Sequence, residues 1–98
     1  MKIEFHPATI DEVNKATAFY NKREPGLGDA FREEIYAAID KLTIQPRRWP
    51  VLSGDIRQCL VGRFPWAILY RIRGGGRVIR ILTIRHQRRH PRYGTRRR

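Results

Sequence analysis

Residues 64–93 read FPWAILYRIRGGGRVIRILTIRHQRRHPRY, and this stretch decides the fold. Side chains alternate with a period of two along residues 66–73 and again along residues 78–86. Gly74–Gly76 separates the two runs, and alternating runs joined by glycines are typical of a β-hairpin. Both faces of the hairpin are largely apolar, so we expect it in the middle of the sheet, with the charged residues at its ends.

The residues before the hairpin predict one short strand and two helices. Lys2–His6 alternates and stops at Pro7, as a strand would. Apolar residues at helical spacing predict a helix over residues 10–22, and Thr9 followed by Glu12 has the pattern of a capping box at its start. A second apolar stripe predicts a helix from Leu27 or Asp29 to Ile44. Pro25–Gly28 separates the two helices, and Pro46 ends the second.

The predicted elements together indicate an α+β fold. Residues 46–55 are a turn-rich connector, and Ile56–Val61 alternates as another strand with Cys59 buried inside it. The order is therefore β-α-α-β-β-β, with a helical hairpin packed on one face of a small, mostly antiparallel sheet and the other face left free. We expect one domain over residues 1–98, with a flexible basic tail from about residue 94.

The net positive charge is confined to the second half of the chain. Residues 1–50 hold eight basic and eight acidic side chains, whereas residues 51–98 hold thirteen arginines and one acid, Asp55. Arginine presents a planar fork of donors that matches phosphate and carboxylate groups. This segregation predicts a polyanionic partner, either nucleic acid or an acidic protein segment, although a merely solvated basic surface would have the same composition.

The residue types also limit the chemistry. No carboxylate follows Asp55, which excludes paired-carboxylate catalysis on the basic surface. His86 and His90 lack a suitable third ligand, so no metal and no cofactor are expected. Arginines with His86 and Tyr93 are a set that can cleave RNA, or that can grip phosphates without chemistry. For both residues a structural role is open as well.

Two further features concern location. The chain has no apolar run long enough to span a membrane, and its start, MKIEFHP, has no secretory hydrophobic region. A single cysteine allows no internal disulfide. We therefore expect a cytoplasmic protein that does not associate with membranes.

The order of several short motifs resembles the RelE/ParE superfamily of type II toxins. The strand half contributes Arg63-Phe64-Pro65-Trp66, Tyr70-Arg71-Ile72, Ile79–Ile84 and the run His86-Gln87-Arg88-Arg89-His90-Pro91-Arg92-Tyr93. The helical half contributes Phe19-Tyr20, Pro25-Gly26-Leu27-Gly28, Phe31 and Pro46. The resemblance covers nearly the whole chain and implies a toxin that is neutralised by a cognate antitoxin, through an acidic or amphipathic segment that wraps over the helices and sheet.

The resemblance implies two possible activities. RelE-like members cut mRNA on the ribosome without metal, and ParE-like members block DNA gyrase. An RNase reading would use as catalytic residues Arg57, Arg71, Arg85, His86 and Tyr93. Nucleic-acid or target binding would use Arg63, Arg85, Arg88, Arg89 and Arg92.

Two departures favour the ParE-like activity. Ala67 stands where RelE-like enzymes tend to carry an arginine, and residues 81–87, ILTIRHQ, are closer to ParE-like chains. We therefore expect a growth inhibitor that acts by binding gyrase, with a ribosome-dependent mRNA endonuclease as the alternative. A basic binding module of the same fold without toxicity is the third possibility.

Overall fold

Two helices pack against one face of a five-stranded sheet in the computed structural model, which describes residues 1–98. The elements are β1 (Lys2–Phe5), α1 (Pro7–Arg23), α2 (Leu27–Ile44), β2 (Val51–Ser53), β3 (Ile56–Leu60), β4 (Trp66–Arg73) and β5 (Val78–His86). The α+β class and the helical hairpin on one sheet face are confirmed. The order is β-α-α-β-β-β-β, because the connector contains a short edge strand, β2, that three exposed residues without alternation did not reveal.

The predicted hairpin is the centre of the sheet. The strand order is β1-β5-β4-β3-β2, with β1 parallel to β5 and every other pair antiparallel. Gly74, Gly75 and Gly76 form the turn with φ of 59°, 66° and 90°, values that glycine adopts without steric cost. The glycine run thus allows the tight reversal between β4 and β5.

The first helix begins earlier than the sequence predicts. Pro7 occupies the first turn, and the Nδ1 atom of His6 accepts a hydrogen bond from the Ala8 N–H at 3.1 Å. Proline suits this position because its missing N–H has no helical partner there. The predicted capping box is therefore wrong: Thr9 donates to the His6 carbonyl, and Glu12 points to β5 instead.

The face of the sheet that carries the helices encloses the main core. Fifteen buried residues from both helices and from the strands form one apolar cluster, with Phe31, Ile35 and Leu42 fully buried on α2. Phe31 also packs against the rings of Tyr20, Phe64 and Trp66, edge-on to the last two. Phe19, next to Tyr20 on α1, is 54% exposed and lies outside this cluster.

The opposite face of the sheet is covered, contrary to the expectation that it is free. A second cluster of four buried residues lies there: Ile56, Ala67, Leu69 and Leu82. Its cover is the C-terminal segment, residues 94–98, together with arginine side chains. A Cβ added to Gly94 would lie 2.5 Å from the Thr83 side chain, so only glycine permits this close approach.

Backbone carbonyls attach the C-terminal segment to the sheet. Arg71 donates to the Arg97 carbonyl at 3.1 Å, and Arg80 donates through two nitrogens to the Arg98 carbonyl at 3.0 and 3.3 Å. The Arg97 side chain in turn donates to the Leu82 carbonyl on β5. These contacts favour a docked segment over the free tail that the sequence predicts.

Candidate functional site

A cleft of about 470 Å³ lies between α1 and the residues that follow β5, and we call it the C-terminal cleft. It is lined by Ala8, Asp11, Glu12, Lys15, Ala16, Phe19, Trp66, Ile84, Arg85, His86, Arg89, Tyr93 and Arg97. Three of the five residues predicted for RNA cleavage meet there: Arg85, His86 and Tyr93. The cleft is therefore the candidate site, and its polar groups show what it can do.

Arg85 is engaged by the protein's own backbone. Only 6% of the residue is exposed, and its Nη1 donates to the carbonyls of His90, Pro91 and Tyr93 at 3.2, 2.7 and 3.0 Å. Burial lowers the pKa of the guanidinium. This geometry favours a structural role for Arg85 over direct contact with a phosphate.

His86 is half-buried beside the core aromatics. Its ring packs edge-on against Trp66 at 5.7 Å between centroids, and its Nδ1 accepts a hydrogen bond from the Arg88 N–H at 3.0 Å. His90 repeats the arrangement, since its Nδ1 accepts from the Arg92 N–H at 3.1 Å. One nitrogen of each imidazole is thus committed to a backbone turn, which leaves only Nε2 for a ligand.

Two guanidiniums enclose the Tyr93 ring. Arg89 lies 4.9 Å and Arg97 lies 5.1 Å from its centroid, within the range of a cation–π interaction. The Arg97 Nη2 also lies 3.4 Å from the Tyr93 hydroxyl. The ring therefore serves as a stacking platform for arginine.

Glu12 joins three elements at the floor of the cleft. Its carboxylate accepts hydrogen bonds from the Thr83 hydroxyl, from the Ile84 N–H at 3.2 Å and from Arg97 at 2.8 Å. Because β1 pairs with β5 only as far as Ile81, the β5 edge beyond it lacks a strand partner, and Glu12 and Arg97 satisfy it there. Burial lowers the pKa of Arg97, but hydrogen bonding and charge from Glu12, together with Tyr93, raise it overall.

The other two predicted catalytic arginines lie elsewhere. Arg57, on β3, donates to the carbonyls of Arg47 and Trp49 and so holds the connector after α2. Arg71 binds Asp55 at 2.9 Å and the Arg97 carbonyl on the second face of the sheet. The structure therefore does not bring all five predicted residues together.

Four of the five residues predicted for target binding are exposed. Arg88, Arg89 and Arg92 are exposed on the segment after β5, and Arg63 is exposed in the β3–β4 loop. Arg63 has φ of 72° and stacks over Phe64 at 5.6 Å. The exposed arginine segment, residues 88–92, is thus the most available basic surface beside the cleft.

A second concave surface lies between the two helices. This groove, which we call the helix groove, has a volume of about 250 Å³ and includes Phe5, Ile10, Asn14, Arg32 and Tyr36 at its rim, with Val13, Ile35 and Ile39 beneath. Ile10 is 60% exposed and Tyr36 is 50% exposed. Exposed apolar side chains around a groove are typical of a protein-binding surface.

Two residues of the candidate site were missed at the level of sequence. Glu12 reads as part of a capping box, and Arg97 reads as part of a mobile tail, yet they form an ion pair across 85 positions. No local pattern singles Glu12 out among the nine acids of the chain, because its partner lies 85 positions away.

The comparison with protein families decides what the fold is used for. A family model described as the ParE toxin of the type II toxin–antitoxin system parDE matches residues 3–91. The chain belongs to the ParE toxin family. Both the ParE-like side of the predicted resemblance and the toxin function are thereby confirmed at family level.

Solved structures agree on the ParE-like fold. Seven chains match, among them one from the chromosomal ParDE toxin–antitoxin system of P. aeruginosa, with a TM-score of 0.77 and 17% identity. The match covers 88% of this chain and 95% of that chain. A search of curated proteins found no significant match.

Family membership also bears on partners. A ParE toxin belongs to a toxin–antitoxin pair, so the predicted cognate antitoxin is supported as a partner. Neither of the two helices is long and apolar enough to cross a membrane.

Proposed function

We propose that this ParE-family chain arrests growth by binding DNA gyrase, and that it does so without cutting RNA. The observation that carries the proposal is the division of the predicted catalytic set. RNA cleavage needs a proton carrier and a charge-stabilising group within hydrogen-bond reach of one phosphate. Here Arg57 holds the connector after α2, Arg71 lies on the second face of the sheet, and the Nη1 of Arg85 is bound to three carbonyls.

The cations of the C-terminal cleft also support binding over RNA chemistry, because two of them are already engaged within the protein. Arg97 pairs with Glu12 at 2.8 Å, and Arg85 donates to three backbone carbonyls. The exposed arginine segment carries Arg88 and Arg92 outside the cleft and Arg89 at its lining, and all three are exposed to meet an acidic surface on a protein. Because gyrase works on DNA inside the cell, the proposal has the toxin act in the cytoplasm.

For the antitoxin we propose an amphipathic, acidic segment seated in the helix groove. Ile10 and Tyr36 would cover the apolar side of such a segment, and Arg32 at the rim would meet its carboxylates. The Arg32 Nη2 is held at 3.0 Å from Asn14, which positions the guanidinium at the groove. An Ile10→Asp variant should bind the antitoxin more weakly and still inhibit gyrase. Ile44→Asp, at another exposed site outside the groove, is the matched control.

The runner-up is the ribosome-dependent mRNA endonuclease, and one observation favours it. His86 and Tyr93 line one cleft together with Arg89 and Arg97, so a proton carrier and cations are near each other. A non-toxic binding module is the third possibility, and growth arrest on expression without the antitoxin would exclude it.

Two assays on the purified chain separate these functions. In the first, gyrase supercoils relaxed plasmid in the presence of increasing toxin. In the second, mRNA in a cell-free translation reaction is mapped by primer extension. We expect loss of supercoiling with intact mRNA. Codon-positioned cuts that need ribosomes, with normal supercoiling, would overturn the gyrase proposal in favour of the endonuclease.

A further inference from the structure

We propose that Arg85 is a positioning residue, which folds the segment after β5 so that Arg88, Arg89 and Arg92 are presented to the target. This inference rests on the proposed binding function and assigns Arg85 a role different from direct contact. The buried guanidinium lies beneath the segment and the three exposed arginines lie on it.

The first support is the hydrogen bonding of Arg85 itself. Three carbonyls of one turn, from His90, Pro91 and Tyr93, converge on its Nη1 within 3.2 Å. Carbonyls that converge in this way leave their oxygens close together, an arrangement that needs a positive donor between them. A charged donor makes such bonds stronger than a neutral one would.

The second support is a turn that occurs twice in the segment, first at His86–Arg89 and then at His90–Tyr93. His86 accepts the Arg88 N–H through Nδ1 and the Arg89 N–H through its carbonyl at 3.0 Å. His90 does the same for the N–H groups of Arg92 and Tyr93, the latter at 2.8 Å. The backbone of all three exposed arginines is therefore held in two successive turns.

The third support is the position of the Arg89 side chain. It stacks on Tyr93, whose carbonyl is one of the three that Arg85 binds. Arg85 thus controls the platform for Arg89 as well as the backbone that carries it. A preformed segment loses less conformational entropy on binding, so this order should increase affinity for the target.

Hydrogen exchange tests the positioning directly, without any target. The four reporting amides are those of Arg88, Arg89, Arg92 and Tyr93. An Arg85→Met variant keeps most of the apolar stem but removes the donors, and we expect these amides to exchange at least about tenfold faster. Arg85→Lys, which restores a charged donor, should recover part of the protection. The amides of β4 should be unchanged in both variants. Unchanged exchange at the four amides in Arg85→Met would overturn the proposal.

A coupling experiment tests whether the positioning matters for binding. Arg85→Met should weaken gyrase inhibition about tenfold in the wild-type background and have no further effect in an R88A/R89A/R92A background. An equal loss in both backgrounds would mean that Arg85 acts by some other route, and would overturn the proposal. If the wild-type chain does not inhibit gyrase, the proposed function fails. In that case the same four proteins are compared by the growth arrest that they cause without the antitoxin, and this comparison decides whether Arg85 acts through the three arginines.

Discussion

The two faces of the sheet are built by different interactions. The helix face carries fifteen buried apolar residues packed between α1, α2 and the strands. The opposite face, which we call the arginine face, carries four buried apolar residues under a segment that is attached through guanidinium–carbonyl hydrogen bonds. The helix face is covered through the burial of apolar area. The arginine face is covered through hydrogen bonds from guanidinium groups to backbone carbonyls.

This difference shows that the sheet can carry neighbouring arginines on the face where backbone carbonyls accept their hydrogen bonds. Arg71 and Arg80 stand directly opposite each other on β4 and β5, an arrangement in which like charges repel. The carbonyls of Arg97 and Arg98 accept from these guanidiniums and so offset part of the cost. We infer that the helix face supplies most of the stability, while the arginine face organises the basic surface.

The largest expected effect lies on the helix face. Phe31 is fully buried and contacts three aromatic rings, so Phe31→Ala should lower the free energy of unfolding by about 3–5 kcal/mol. Urea unfolding followed by tryptophan fluorescence measures it. Tyr36→Ala on the exposed side of the same helix is the control and should cost far less. Equal losses of unfolding free energy in Phe31→Ala and Tyr36→Ala would contradict the claim that the helix face supplies most of the stability.

A smaller effect is expected where the faces meet, at Glu12. Its carboxylate serves Thr83, the Ile84 N–H and Arg97, so Glu12→Ala should cost about 1–3 kcal/mol. Glu12→Gln keeps an acceptor and should lose less, because only the charge that pairs with Arg97 is removed. Glu33→Gln, at an exposed site of α2, is the matched control. The same urea experiment applies, and a Glu12→Ala protein as stable as wild type would contradict the role of Glu12 as a clamp.

The smallest expected effect is a loss of stability at alkaline pH that arises on the helix face. Burial raises the pKa of the Cys59 thiol to about 11 from 9.0, although Lys41 and Arg48 act to lower it. Burial likewise raises the pKa of Tyr70 to about 12 from 10.0. As pH rises past 9 the unfolded chain loses the Cys59 proton first, so the stability contributed by the neutral thiol is complete below pH 9 and lost between pH 9 and 11.

That loss should amount to about 1 kcal/mol at pH 10. It is measured as the slope of the unfolding free energy against pH, from urea titrations between pH 8 and pH 11. Cys59→Ala should flatten the slope between pH 9 and 11, and Tyr70→Phe should act only above about pH 10. An identical slope in wild type and Cys59→Ala would show that the thiol is not held neutral by the core.

The sequence predicted the helix face well. The alternation along residues 66–73 and 78–86, and the apolar stripe of α2, are local signals that report burial directly. The start of α1 is not evident from the sequence, because Pro7 both follows a strand and begins the helix. Proline fits both places, so the residue alone does not distinguish them.

The arginine face was predicted poorly for a physical reason. Its order depends on contacts between residues far apart in sequence, such as Arg97 with Glu12 and Arg80 with Arg98. In the sequence alone, an arginine that binds a backbone carbonyl cannot be distinguished from one that is available to bind a phosphate. The sequence therefore predicted that Arg85, His86 and Tyr93 belong to the candidate site. It did not predict that Arg85 binds backbone carbonyls, because the composition favoured phosphate contact.

The most direct test of binding without catalysis compares two variants of the purified toxin in the gyrase supercoiling assay. One is His86→Ala, which removes the candidate proton carrier. The other is R88A/R89A/R92A, which removes the exposed arginines, including Arg89 of the cleft lining, and keeps His86 and Tyr93. Our account predicts that His86→Ala retains inhibition within a fewfold, and that the triple variant loses most of it while its unfolding free energy stays close to wild type. Full inhibition by the triple variant, together with loss of toxicity in His86→Ala, would contradict the account.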